Sequence, residues 1–242
     1  MQDTKVNLNH EVYEIFPTVV YRGEVTCHQE FKNKYLQELS DYWHYAEDLP
    51  REELQSPENS GRYFLHHEQK YSEFFKCLDQ NVRQYLKVLN VNESLINVYV
   101  TKSWLNIHKE DLPNIKIHTH NSSDISFCYY LNCNETSDKL CFHQSENNNE
   151  VSEFMFQTTN SGKYNLISGY NKYNCNNYTV TPIEGTVVLF PSSMMHSTMQ
   201  MVQRKGQRIS ICGDITLTLK EDYIKCEYSR LDPSLWRKIN SQ

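Results

Sequence analysis

The hydrophobic period of this chain changes near Asn92, and that change restricts its fold more than any other feature. Before it, Phe31, Tyr35, Leu39 and Trp43 recur every four residues between Glu30 and Tyr45, with Leu36 widening the stripe. Phe75, Leu78, Val82, Leu86 and Leu89 repeat the pattern from Ser72 to Leu89. This spacing predicts two amphipathic helices, each needing a surface to cover. Between them, 48–59 is rich in Glu, Pro and Ser and reads as loop. After Asn92 the chain turns β-branched and aromatic, and 95–106, 125–131, 139–143 and 186–190 read as strands, with a last core strand opening at Arg208. The Asn-rich stretch 144–177 reads as a long excursion holding one hairpin at most, and the tail from Asp232 as a short helix or coil.

Helices followed by strands with no helix between them predict a mainly β fold, a sandwich or open barrel with α-helical support. The expected division is a single domain over 1–242. It comprises a helical support region (1–92), a β core (93–220) with an insert near 144–178, and a tail (221–242). All-β chains of about this length are routinely one domain.

Composition removes several classes of function. Aromatic residues make up 12% of the chain, too many for a disordered one. The 24 basic residues are outnumbered by 30 acidic ones and form no basic run, which argues against a general nucleic-acid binder. No stretch approaches the roughly 20 apolar residues of a membrane helix. Met1-Gln2-Asp3-Thr4-Lys5 lacks the profile of a signal peptide, so the expected setting is the cytoplasm. The 8 cysteines include no C-x-x-C pair and read as reduced, mostly buried thiols. Neither a G-x-G-x-x-G loop, a Walker A loop nor a G-x-S-x-G elbow is present. His66-His67 read as surface residues, and Trp43 and Trp236 as packing anchors. Met194, Met195, Met199 and Met201 read as a soft pocket wall in preference to a thioether copper site.

The residues that could carry chemistry lie in the β half. His118-Thr119-His120 precedes a strand, and on an extended segment residues i and i+2 point to one side, so both imidazoles can reach one ion. A third histidine, His196, follows the strand that ends at Pro191. One close pair and one distant ligand are a common way for a β scaffold to hold a redox metal with open positions. Arg208-Ile209-Ser210 opens the next strand, where a guanidinium and a hydroxyl on one face can grip a carboxylate.

In this order the residues resemble the double-stranded β-helix oxygenases that depend on Fe(II) and 2-oxoglutarate, with their H-x-D/E…H…R pattern. Trp104-Leu105-Asn106, His118-Thr119-His120 and Ser126-Phe127-Cys128-Tyr129-Tyr130-Leu131 are similar to the W-x-N…H-x-H…SGVYYL segment of a branch found in phages and marine bacteria. Gly185 to Ser192 with His196, then Gln207-Arg208-Ile209-Ser210-Ile211, resemble that branch's G-x-LVLFPSxxxH and ERISIS segments. The likeness runs from about Ser103 to Gly213; the first third matches only at Ile15-Phe16-Pro17-Thr18.

The resemblance implies a jelly-roll, cupin-like core, and the one-sided apolar stripes of the helices place them on the outer face of its major sheet, away from the histidines. It implies a metal held by His118, His120 and His196, with 2-oxoglutarate bound by Arg208, Ser210 and Tyr130 and with Asn106 near its metal-bound end. Position 120 carries His where the family carries a carboxylate. A three-His site, a two-His site with water, and a carboxylate from Asp124 are therefore alternatives. The implied reaction hydroxylates a small molecule or a protein side chain with O2, releasing succinate and CO2, in a monomer or homodimer. A cupin-like binding protein or an inactive relative is the competing reading.

Overall fold

Both stripes form helices. The computed structural model describes residues 14–47, 64–108, 114–144, 146, 148–152, 167–199, 201, 205–220 and 232–237. Helix α1 spans His28–Glu47 and buries Phe31, Tyr35 and Leu39; the side chain of Trp43, expected on the same stripe, lies outside the described residues. Helix α2 spans Ser72–Val88, entered through two 3-10 turns at Leu65–His67 and Gln69–Tyr71.

The α2 stripe differs from expectation by one residue at its start. Phe74 is fully buried and heads the row Cys77, Leu78, Asn81, Val82, Tyr85 and Leu86, while Phe75 is only partly buried and Leu89 is exposed. Adjacent helical positions are separated by about 100°, so only one of the two phenylalanines can face the core. Phe75 packs edge-on to the His66 ring at the margin instead. The helix stops in a Schellman turn: Asn90 takes φ 55°, its N–H donates to Lys87 O, and Val91 N–H reaches back to Leu86 O.

The eight strands comprise five that follow the expected runs and three that were hidden in the sequence. They are β1 (Tyr21–Glu24), β2 (Ile96–His108), β3 (Ile125–Asn132), β4 (Lys139–His143), β5 (Asn177–Val180), β6 (Thr186–Pro191), β7 (Met195–Met199) and β8 (Arg208–Leu219). A five-stranded sheet runs β1-β6-β3-β8-β2 and a three-stranded sheet runs β5-β4-β7, with every pair antiparallel. Two facing antiparallel sheets with helices behind the larger make this a double-stranded β-helix with α-helical support.

Alternation along the strands divides the major sheet into two faces. Leu105 and Ile107, Phe127, Tyr129 and Leu131, Val187 and Leu189, and Ile209 and Ile211 pack with α1 and α2 in one core. Their neighbours Cys128, Tyr130, Val188, Phe190 and Cys212 turn the other way and meet Leu140 and Phe142 of the minor sheet. The helices thus cover the outer face, and the space between the sheets is left for the site.

One glycine sets the fit of the two longest strands. A Cβ on Gly213 would lie 2.3 Å from Lys102 O and 2.5 Å from the Phe127 ring, beside the bulge between Val100 and Lys102. Only a glycine lets β2 and Phe127 approach β8 this closely.

Two smaller expectations need correction. Trp236 follows a 3-10 turn, is 61% exposed and belongs to neither buried cluster of the described residues. His66 is half-buried with Nδ1 2.8 Å from Ser103 Oγ, so it belongs to the packing of the 3-10 turn against β2, whereas His67 is exposed as expected. Four of the seven described cysteines are buried, and none of the seven is in a disulfide; Cys226 lies outside the described residues. Among the described residues, no helix is long and apolar enough to cross a membrane.

Candidate metal centre

Strand β6 ends at Pro191, the chain turns with Met194 N–H bonded to Pro191 O, and β7 begins at Met195 in the other sheet. That crossing carries His196 to the space between the sheets. Strand β7 is an edge, and the segment before β3 pairs with its free side: His118 N–H donates to His196 O, and His196 N–H to His118 O. Two residues on, His120 N–H is held by Ser192 O. The local backbone pairing therefore brings the sequence-distant histidine to the H-x-H pair.

The potential ligand atoms of His118, His120 and His196 all lie within 4.8 Å of one another. In each ring Nδ1 is engaged: with Lys116 O at 2.8 Å for His118, Met194 O at 2.8 Å for His196, and Asp214 Oδ1 at 2.5 Å for His120. A carbonyl or carboxylate at Nδ1 selects the Nδ1–H tautomer and leaves the Nε2 lone pair for a metal. Burial also pushes His196 down to about 4, which keeps it neutral and able to ligate. Asp124 is otherwise engaged. Its carboxylate accepts from Leu217 N–H at 2.8 Å and its backbone bonds Ile215 and Ser192, tying β8 to the turn after β6.

The same cleft is lined by Trp104, Asn106, Cys128, Cys212 and Arg208. Arg208 is 3% exposed, yet among the described residues no carboxylate holds its charge. Nη1 donates to Asp138 O at 3.1 Å, Nη2 lies 3.8 Å from Cys128 Sγ, and Nε has no partner. Its guanidinium sits 5.3 Å from the Tyr130 ring centroid, and the Tyr130 hydroxyl is likewise buried without a partner. The Cys128 thiol is held below its ordinary value by the neighbouring Cys212 and by the Arg208 charge, against the effect of burial.

Of the other expected contacts, Asn106 faces the cleft and donates to Cys212 Sγ at 3.3 Å, while Ser210 is fully buried beside Asn106 O. Sequence reading missed Asp214, the Cys128–Cys212 pair and the buried His108–Asp138 pair behind Arg208. Strand parity was the available signal: Arg208, Ser210, Cys212 and Asp214 are spaced by two on one strand.

These residues can hold a divalent ion through three imidazoles and an anionic ligand through Arg208. Residues 102–214 match the family model described as "Putative 2OG-Fe(II) oxygenase". No curated protein matches the chain. Among solved structures, AviO1 from Streptomyces viridochromogenes Tue57 is similar at 11% identity and a TM-score of 0.50, covering 82% of this chain and 90% of that one. HygX from Streptomyces hygroscopicus, solved with nickel and 2-oxoglutarate bound, is similar at 14% identity and a TM-score of 0.47, covering 82% and 83%. An oxidoreductase of the 2OG-Fe(II) oxygenase family from Burkholderia pseudomallei is similar at 11% identity and a TM-score of 0.40, covering 60% of this chain. This chain spans 58% of that relative's length. The likeness to AviO1 is one of fold.

Proposed function

We propose that this protein is an Fe(II)- and 2-oxoglutarate-dependent oxygenase, with His118, His120 and His196 holding the metal and Arg208 holding the far carboxylate of 2-oxoglutarate. The observation that carries this reading is the pairing of two unmet needs in one cleft. Three histidines offer free Nε2 atoms, and a buried guanidinium has no carboxylate partner. A buried charge is costly unless paired, and a bidentate carboxylate is the partner that a guanidinium fork fits best. The orphaned Arg208 Nε and Tyr130 hydroxyl are the donors such a carboxylate would accept from.

When bound, Fe(II) with 2-oxoglutarate supplies the oxidation of a substrate C–H bond by O2, releasing succinate and CO2. The chain's own residues bind and orient. The backbone bridge between His118 and His196 fixes the spacing of their rings. Trp104 and Phe190 pack against His120 and His196 and keep water from that wall of the site. Asn106 would contact the metal-proximal end of the cosubstrate, and Ser210 would steady Asn106 from behind. The substrate is a small molecule or a protein side chain.

Titration of the protein with 2-oxoglutarate in the presence of Mn(II), followed by assay of succinate release with Fe(II), tests the reading. The expected result is saturable binding that requires the metal, with slow release of succinate even without substrate. Metal binding without any affinity for 2-oxoglutarate would move the protein to the cupin-like binding class.

A further inference from the structure

We infer that Asp214 is a positioning residue of the metal centre, supplying through His120 the negative charge that H-x-D/E sites supply by direct ligation. This rests on the reading that the three histidines hold a divalent metal. The three rings are not equivalent. His118 and His196 direct Nδ1 at backbone carbonyls, whereas His120 directs Nδ1 at a carboxylate oxygen at the shorter distance of 2.5 Å. His120 is also the residue that stands where the family pattern has an acid.

The carboxylate is built into place by β8. Asp214 is 4% exposed and lies directly across from Ser126 on β3. Gly213 beside it permits the close approach of β2 and Phe127 that closes the sheet there. The surrounding hydroxyls converge on it: Ser126 Oγ donates to Asp214 Oδ1 at 3.0 Å, Ser192 Oγ lies 2.9 Å from Ser126 Oγ, and Ser123 Oγ donates to Ser192 Oγ at 3.0 Å. One oxygen thus accepts both the His120 N–H and the end of a serine chain, so the imidazole is held in one tautomer and one orientation. Asp214 is not a member of the ligand cluster itself. Its charge reaches the metal one imidazole away, making His120 the most electron-donating of the three nitrogens.

The test is titration of the full chain with Co(II), read by calorimetry and by visible absorption of the bound ion. Asp214→Asn keeps an acceptor for the His120 N–H and removes the charge. It should weaken Co(II) about 10–100-fold and shift the absorption bands. In a His120→Ala background the same substitution should have no further effect, because Asp214 acts through that ring. Wild-type affinity and spectrum in Asp214→Asn, or additive losses in the double variant, would overturn the inference. The unsubstituted protein gives a check independent of folding of the variants: a strongly downfield imidazole N–H resonance that disappears in His120→Ala is expected, and its absence counts against the pairing. Failure of the wild type to bind Co(II), or full binding by His118→Ala and His196→Ala, would instead remove the three-histidine site on which the inference stands.

Discussion

Tyr129 and Tyr130 are neighbours on β3, both fully buried, and they live on opposite faces of the major sheet. Tyr129 points to the helices, where its hydroxyl lies 2.7 Å from His28 Nδ1 and its ring packs on Phe31 and Phe74. Other hydroxyls of that layer are also paired: Tyr35 with Lys70 O and Tyr71 with Glu38 Oε1. Tyr130 points between the sheets, beside an under-paired Arg208 and near the Cys128 thiol, and its buried hydroxyl makes no well-formed hydrogen bond. The outer face has the saturated polar groups expected of a packed core. The inner face leaves donors unspent, as a site awaiting an anionic ligand would.

The largest effect that could break this division is expected on the outer face. Phe74→Ala should cost about 3–5 kcal/mol of stability, since the ring is fully buried between α1 and Tyr129. Urea unfolding measures the loss, and calorimetry on the remaining folded molecules should give unchanged metal affinity. A change in metal affinity comparable to the loss of stability would mean that the two faces are coupled.

The complementary substitution is Arg208→Met, which keeps much of the volume and removes the buried charge. Affinity for 2-oxoglutarate should fall by about 2–5 kcal/mol, at least about thirtyfold. Stability without ligand should hold or rise, because replacing a buried charge that has no carboxylate partner by a packed apolar side chain is often neutral or better. A large loss of stability together with intact binding would reverse the assignment of Arg208 to the ligand.

Acid should expose one group from each face. Burial lowers both His66, behind the sheet, and His196, in the site, to about 4 from an ordinary 6.5. Below 6.5 the unfolded chain takes up protons that the folded protein refuses. The contribution of these two histidines to metal-free stability should therefore be level above pH 6.5, fall as pH drops from 6.5 to 4, and level again below that. The buried His196 accounts for about 1–3 kcal/mol of the fall. Comparing His66→Asn with His196→Asn in pH-resolved unfolding separates the two, and a slope untouched by either would show that neither is held neutral.

How much of this was legible depends on which face a residue serves. The outer face announces itself, because helices at a four-residue period and strands rich in Ile, Val and Phe repeat one chemistry. The expected strand 139–143 matches β4 to the residue. What was hidden is polar. Strand β1 reads Tyr-Arg-Gly-Glu and is recruited at a sheet edge by β6; β5 is largely exposed; β7 carries His, Ser and Thr where an apolar run would have marked a strand. Such strands are fixed by their partners, not by their own composition. In the site, spacing offered the H-x-H pair, His196 and Arg208 as candidates, and the family resemblance joined them with the third ligand left open. Asp214 escaped because its meaning lies in a partner 94 residues away. The four-residue spacing selects Phe75 where the structure buries Phe74, because neighbouring phenylalanines are equivalent until the helix is set against its sheet.

The smallest effect is the cleanest comparison, since it changes one oxygen on each face of one strand. Tyr129→Phe removes a hydroxyl that is paired with His28, leaves that ring nitrogen without its partner, and should cost about 1–3 kcal/mol of stability with no change in 2-oxoglutarate affinity. Tyr130→Phe removes a buried hydroxyl that makes no well-formed hydrogen bond. Stability should stay level or improve slightly, while 2-oxoglutarate affinity falls by about 0.5–1.5 kcal/mol, the net worth of one hydrogen bond. Thermal unfolding without ligand and calorimetric titration with it read both variants on the same two axes. If Tyr130→Phe destabilised the ligand-free protein and bound 2-oxoglutarate normally, its hydroxyl would be a structural group and the inner face would be an ordinary core at that point.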